Sequence, residues 1–158
     1  MSLFKARTVL YSRTARKQIW EAVNNTGLAY EIGGLLVGYR LLSVFYIIEV
    51  TFPNKLTEPS RVSFVLDGDA HKLSAIEIAQ NYSPAPTLLG IWHSHICDGC
   101  HFSKQDRQIN YEFATLLNGT LSAIVVRDIA NSRFTVTNYY IERYKQEQLI
   151  NCIYLSDN

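Results

Sequence analysis

The chain has 158 residues, 47% of them hydrophobic, which suits one globular domain burying roughly 70% of its unfolded surface. Fifteen basic against fourteen acidic side chains leave a net charge of +1, and no Lys/Arg run marks a basic arm, so a nucleic-acid partner is not expected. Three cysteines, Cys97, Cys100 and Cys152, make an odd count with no signal peptide read ahead of them, which points to the reducing cytoplasm and away from a disulfide framework.

Residues 9–11 read as a short β-like lead. Ser12 then suits a helix N-cap, and Ala15, Ile19, Ala22 and Val23 recur at offsets 0, 4, 7 and 8 before Gly27, which predicts a first amphipathic helix. Residues 32–50 form a mostly apolar run close to the ~20 residues of a transmembrane helix. Arg40 at its centre would cost roughly 2.5–3.5 kcal/mol in a bilayer. With Gly33, Gly34, Gly38 and the β-formers from Val44 to Ile48, the run is better read as two buried strands, 32–39 and 43–52, turning between Tyr39 and Ser43. No membrane association is expected. Residues 53–61, PNKLTEPSR, read as a loop, and 62–66 as a short strand. Asp67, Gly68 and Asp69 open a second helix that runs to about Tyr82, with Leu73 and Ile76 inward, and Pro84 and Pro86 end it.

An unbroken apolar run over 87–92 predicts a strand buried on both faces. A third helix covers 103–117, its stripe being Ile109, Phe113, Leu116 and Leu117, again at offsets 0, 4, 7 and 8. Two closing strands follow, 121–127 and 134–141, with a turn around Asn131. The tail after about residue 142 is charged at first and carries no assignable pattern. Strands and helices interleave without a strict βαβ repeat, so the expected fold is α/β of the mixed, α+β kind: one domain over 1–158, a mixed sheet with about three packed helices.

The chemistry concentrates in GIWHSHICDGCHFSKQD, residues 90–106. His93 and His95 are two apart on a strand, so they share a face while Ser94 points away. Neutral imidazoles and a carboxylate are zinc ligands, and three protein ligands leave a fourth position for water. Asp106 falls three residues before Ile109 and seven before Phe113, on the inward stripe of the third helix, where a carboxylate needs a compensating charge. Ser103-x-x-Asp106 also resembles a helix capping box. The two histidines a short loop upstream tip the balance toward a metal, and the Ser103 hydroxyl could serve both ends.

A metal-assisted hydrolase further needs a carboxylate that is not a ligand. Glu31 stands at the head of the strand 32–39, in line with Gly33, Leu35 and Val37; spacing alone does not distinguish it from a solvated residue at a strand entrance. Cys97 and Cys100 admit a structural zinc, a redox pair or a second metal, but two unpaired thiols are the favoured reading. A zinc nucleobase deaminase would carry His-x-Glu followed by Pro-Cys-x-x-Cys. Here His95 stands two after His93 and no proline precedes Cys97.

Glu31 before GGLLVG, followed by His-x-His-x7-Ser-x-x-Asp at His93, His95, Ser103 and Asp106, resembles the signature of the JAMM metalloproteases, also called the MPN+ or JAB-domain family. The resemblance spans essentially the whole chain. It implies a JAB/MPN-like domain in which His93, His95 and Asp106 bind Zn2+ with a water as fourth ligand. Glu31 would be the general acid/base for attack by that water, and Ser103 would donate a hydrogen bond to the oxyanion. The implied activity is that of a zinc-dependent metallopeptidase or isopeptidase cleaving after the C-terminal glycine of a ubiquitin-like protein or its conjugate. The segment 52–64 would guide the substrate's extended tail by strand addition. The compact chain resembles prokaryotic stand-alone members, among them deconjugating enzymes of bacterial antiphage (CBASS) operons. It departs from the family pattern at Ile96 and Phe102, where members often have proline, so the path of the loop between the ligands is the expected point of difference. The other function considered is a non-catalytic MPN-type interaction module; such modules usually lack the ligand set, which is complete here.

Overall fold

The computed structural model describes residues 6, 8–26, 30–52, 68–95, 101–144 and 146–156. The leading strand, β1 (Thr8–Tyr11), passes directly into helix α1 (Arg13–Thr26). Ser12 caps that helix as expected: its Oγ accepts from the Ala15 N–H at 3.0 Å and its carbonyl from the Arg16 N–H at 3.1 Å. The helix then buries Ala15, Ile19 and Val23 along one face. The long apolar run is a hairpin of two strands, β2 (Gly33–Leu41) and β3 (Val44–Val50), turning at Leu42 and Ser43. Among the described residues no helix is long and apolar enough to cross a membrane.

Helix α2 (Gly68–Gln80) leads to the strand β4 (Thr87–His95), and helix α3 (Lys104–Leu117) to the strand β5 (Thr120–Asp128). The chain closes through β6 (Arg133–Ile141) and β7 (Glu147–Leu155). All seven strands join one mixed sheet in the order β1-β3-β2-β4-β5-β6-β7. Its pairs are antiparallel except β1 with β3 and β4 with β5. The expected mixed α/β domain with three helices is therefore the observed one. The expected loop 53–61 and strand 62–66 lie outside the described residues, as do Cys97 and Cys100.

Strand alternation divides the core. On one face Trp92, Ala123, Val125 and Val136 pack with Ala15, Ile19 and Val23 of α1; on the other, Ile124 and Ile141 pack with Ala114 of α3 and with Phe102. Each fully buried aliphatic or aromatic side chain of this kind contributes about 1.5–3 kcal/mol. The sheet curls until its edges are tied across α1's face. Asn151 Nδ2 donates to the Val9 carbonyl at 3.0 Å, and the Tyr11 hydroxyl to Asn138 Oδ1 at 2.6 Å. The first of these bonds occupies a backbone carbonyl of edge strand β1 that would otherwise be open to further strand pairing.

Two sequence expectations need correction. Leu73 and Ile76 of α2 are 64% and 45% exposed, whereas His71 is 3% exposed. The apolar residues of α2 are scattered around its circumference, and the face turned inward is His71, Ala75, Ile78 and Ala79. His71 anchors it, with Nδ1 2.5 Å from Thr51 Oγ1 at the end of β3. In α3 the fully buried line is Asp106, Asn110 and Ala114, and Leu116 is 74% exposed. The polar contacts of Asp106 set that helix's rotation about one residue away from its apolar stripe. The tail, which carries no assignable pattern in the sequence, forms an edge strand, β7, whose alternation is broken by a bulge at Ile150, opposite Asn138 and Tyr139, and one face of which remains exposed.

Candidate metal centre

The central strand β4 delivers both histidines. It is buried from Leu89 to Ser94, paired antiparallel with β2 and parallel with β5, so its end has little freedom. The strand extends to His95, past the predicted end at residue 92, which places His93 and His95 on one face of regular backbone. Gly33 lies opposite His93 in the register. A Cβ on Gly33 would stand 2.1 Å from the Trp92 carbonyl oxygen and 2.9 Å from the His93 Cβ. Only glycine lets β2 approach the first histidine so closely.

Helix α3 supplies the carboxylate. Its N-terminus is a complete capping box: Ser103 Oγ accepts from the Asp106 N–H at 3.1 Å, and Asp106 Oδ2 accepts from the Ser103 N–H at 2.7 Å. The capping reading and the metal reading therefore coexist. Asp106 turns Oδ1 to His93 Nε2 at 3.4 Å and Oδ2 to His95 Nε2 at 3.4 Å, and the two Nε2 atoms are 2.9 Å apart. The three side chains are only 1% (His93), 8% (His95) and 9% (Asp106) exposed.

Donor type and spacing fit a metal ion. In a tetrahedral zinc site with bonds of about 2.0–2.2 Å, ligand atoms stand about 3.3–3.6 Å apart, which matches the two histidine–carboxylate separations, while the two Nε2 atoms lie somewhat closer. Taking a single atom from each residue, the set closes to within 4.8 Å. The wider figure arises because the carboxylate offers a different oxygen to each imidazole, and Oδ2 is shared with the helix cap. A buried cluster of this kind could hold a metal ion.

Burial works to raise the Asp106 carboxyl, but hydrogen bonds from His93 and His95, and the Ser103 backbone N–H, outweigh it and hold its pKa well below the usual carboxylate range. A folded-state pKa below that of the unfolded chain means that the ionised carboxylate stabilises the metal-free fold above pH ~4. The contribution is lost as the pH falls from there through the folded value.

Glu31 lies just before β2. The Ile32 N–H donates to Ser94 Oγ at 3.0 Å, and the Ile32 carbonyl accepts from the Ser94 N–H at 2.7 Å. These bonds carry the Gly33–His93 register one place further, to Ile32 and Ser94, and the next position along is half-buried Glu31 opposite His95. Directly opposite residues of paired strands share a face, so the backbone brings Glu31 to the side of the sheet that carries the cluster. Ser103 is exposed at the other end of the site. Phe102 is 6% exposed and packs at a tilt against Tyr139 with ring centroids 4.7 Å apart. That packing fixes the chain just before Ser103. The positioning roles of Gly33, Ser94 and Phe102 leave no local signal in the sequence, since they depend on pairing register and tertiary packing.

No family model matches the chain, and no curated protein sequence does. Similar solved structures do exist. One is the solution structure of protein DSY2949 from Desulfitobacterium hafniense, at a TM-score of 0.67 and 17% identity over 90% of this chain and 91% of that one. At that identity the likeness shows the fold alone, and it is a fold shared from end to end.

Proposed function

We propose that this chain is a zinc-dependent peptidase or isopeptidase of the JAMM (MPN+, JAB-domain) kind, cleaving after the C-terminal glycine of a ubiquitin-like protein or its conjugate. The observation that carries this reading is the convergence of His93, His95 and Asp106 on one buried point. Their order and spacing in the chain are those of the family's ligand motif. The substrate class rests on that resemblance.

Bound zinc supplies a Lewis acid that polarises a carbonyl and lowers the pKa of water to about 7. His93 and His95 present Nε2 lone pairs from rigid β4, and Asp106 adds a negative charge that the capping box orients. Glu31, across from His95, takes a proton from the attacking water and returns it to the departing amine as the C–N bond breaks. The Ser103 oxygen is occupied in accepting from the Asp106 N–H, which leaves its hydroxyl hydrogen for the oxyanion of the tetrahedral intermediate.

The test is incubation with a panel of ubiquitin-like fusions and lysine conjugates, with and without a chelator, and mass measurement of the products. Cleavage after the terminal glycine is expected, abolished by chelation and restored by added zinc. Cleavage that survives complete chelation would sink the proposal.

A further inference from the structure

A second polar level lies beneath the cluster, between α3 and the sheet. Asn110, four residues after Asp106 on the buried line, is 0% exposed, and neither its Nδ2 nor its Oδ1 bonds to any described residue. From the sheet comes Ser122, 1% exposed, its Oγ likewise without a bonding partner among the described residues. Ser122 lies opposite Ile91, and Ile124, two residues on, lies opposite His93. Alternation places these four residues on one face of the sheet, the face on which Ile124 packs with Ala114 of α3.

The levels can be matched along the elements. Helix α3 joins two parallel strands, β4 and β5, and runs back between them. Four helical residues cover about 6 Å, and two strand residues about 6.6 Å. With Asp106 facing His93 and His95, these rises put Asn110 at about the level of Ile91 and His93, on the helix-covered face that carries Ser122 and Ile124. Leaving a buried amide and a buried hydroxyl unpaired is destabilising, and apolar side chains of similar shape would avoid that cost. Their presence next to the cluster calls for a role in it.

We propose that Asn110 is a positioning residue of the metal centre, acting through His93. The Nε2 of His93 faces the cluster, so the ring's proton belongs on Nδ1 when a metal is bound. A buried ligand imidazole is held in that tautomer by an acceptor for its N–H. In the proposed arrangement Asn110 Oδ1 turns to serve as that acceptor and Ser122 Oγ accepts from Asn110 Nδ2, fixing which way the amide points; neither bond is formed in this structure, so each requires a side-chain rotation. The inference rests on the metal reading of the site and is independent of the substrate.

The experiment compares wild type, Asn110→Leu and Ser122→Ala by zinc competition against a chelating dye, by the visible absorption of bound cobalt, and by thermal melting of the metal-free protein. Asn110→Leu is expected to bind zinc roughly 10–100-fold more weakly and to alter the cobalt spectrum, while its metal-free Tm is unchanged or higher. A purely structural asparagine would move the two readouts together. Ser122→Ala is expected to weaken zinc binding in the same direction by less, and it decides the matter if Asn110→Leu does not fold. If wild type binds zinc and the variants bind it equally well, the role of Asn110 is overturned and the metal centre stands. If wild type binds no metal at all, both readings fall together, and the control shows it before any variant is measured.

Discussion

Replacing Glu31 with glutamine is expected to lower kcat by roughly 10²–10⁴-fold, the range that a positioned general acid or base contributes, while zinc content and Tm stay at their wild-type values. The reason lies in the division of labour at the site. The three side chains of the cluster come from β4 and α3, whereas Glu31 lies just before β2, where the Ile32–Ser94 bonds extend the Gly33–His93 register toward His95. Glutamine keeps the shape and the hydrogen-bonding reach but carries no basic oxygen. The loss should therefore fall on kcat, with KM little changed, because substrate binding does not need that proton transfer. Loss of zinc together with activity would make Glu31 a ligand; an unchanged kcat would remove it from the chemistry. Both are read from metal analysis and steady-state kinetics on one preparation.

The second large effect is expected at Asp106, where one side chain serves the helix and the cluster. Asp106→Asn keeps an oxygen able to accept from the Ser103 N–H, so α3 should retain its cap and the circular-dichroism spectrum its helical content. What disappears is the negative charge that meets His93 and His95 in a buried site. Zinc affinity should fall by more than the roughly 10–100-fold that follows loss of a supporting group. Equal affinity in the variant would mean that the carboxylate is there for the cap alone.

Much of this architecture is legible in the sequence where local physics dominates. Ser12 and the spacing of Ala15, Ile19 and Val23 give α1 because a cap and a single apolar face suffice to define it. Arg40 and the glycines turn a membrane-length run into the β2–β3 hairpin. The pair His93 and His95 is legible because alternation along a strand leaves no other geometry, and the capping box at Ser103 because its partners are three residues apart. Less legible is whatever depends on distant partners. Periodicity puts Asp106 inward with Ile109 and Phe113, yet the buried line runs from Asp106 through Asn110 and Ala114, where Asp106 meets histidines on another element. Leu73 and Ile76 face out because α2 meets the sheet through His71 and Thr51, a tertiary bond with no periodicity. The strand β7 escapes notice because it exposes one face and a bulge at Ile150 breaks its own alternation. The nearness of Glu31 to the site is a matter of register, which only the pairing of Gly33 with His93 reveals.

The most direct measurement is the metal content of the purified chain after equilibration with zinc and removal of unbound ion, set beside a His93→Ala, His95→Ala double variant. The account predicts about one zinc per wild-type chain, the stoichiometry of a single three-ligand site, and none above background in the variant. A wild-type chain that takes up no zinc, or a double variant that holds as much, would contradict it.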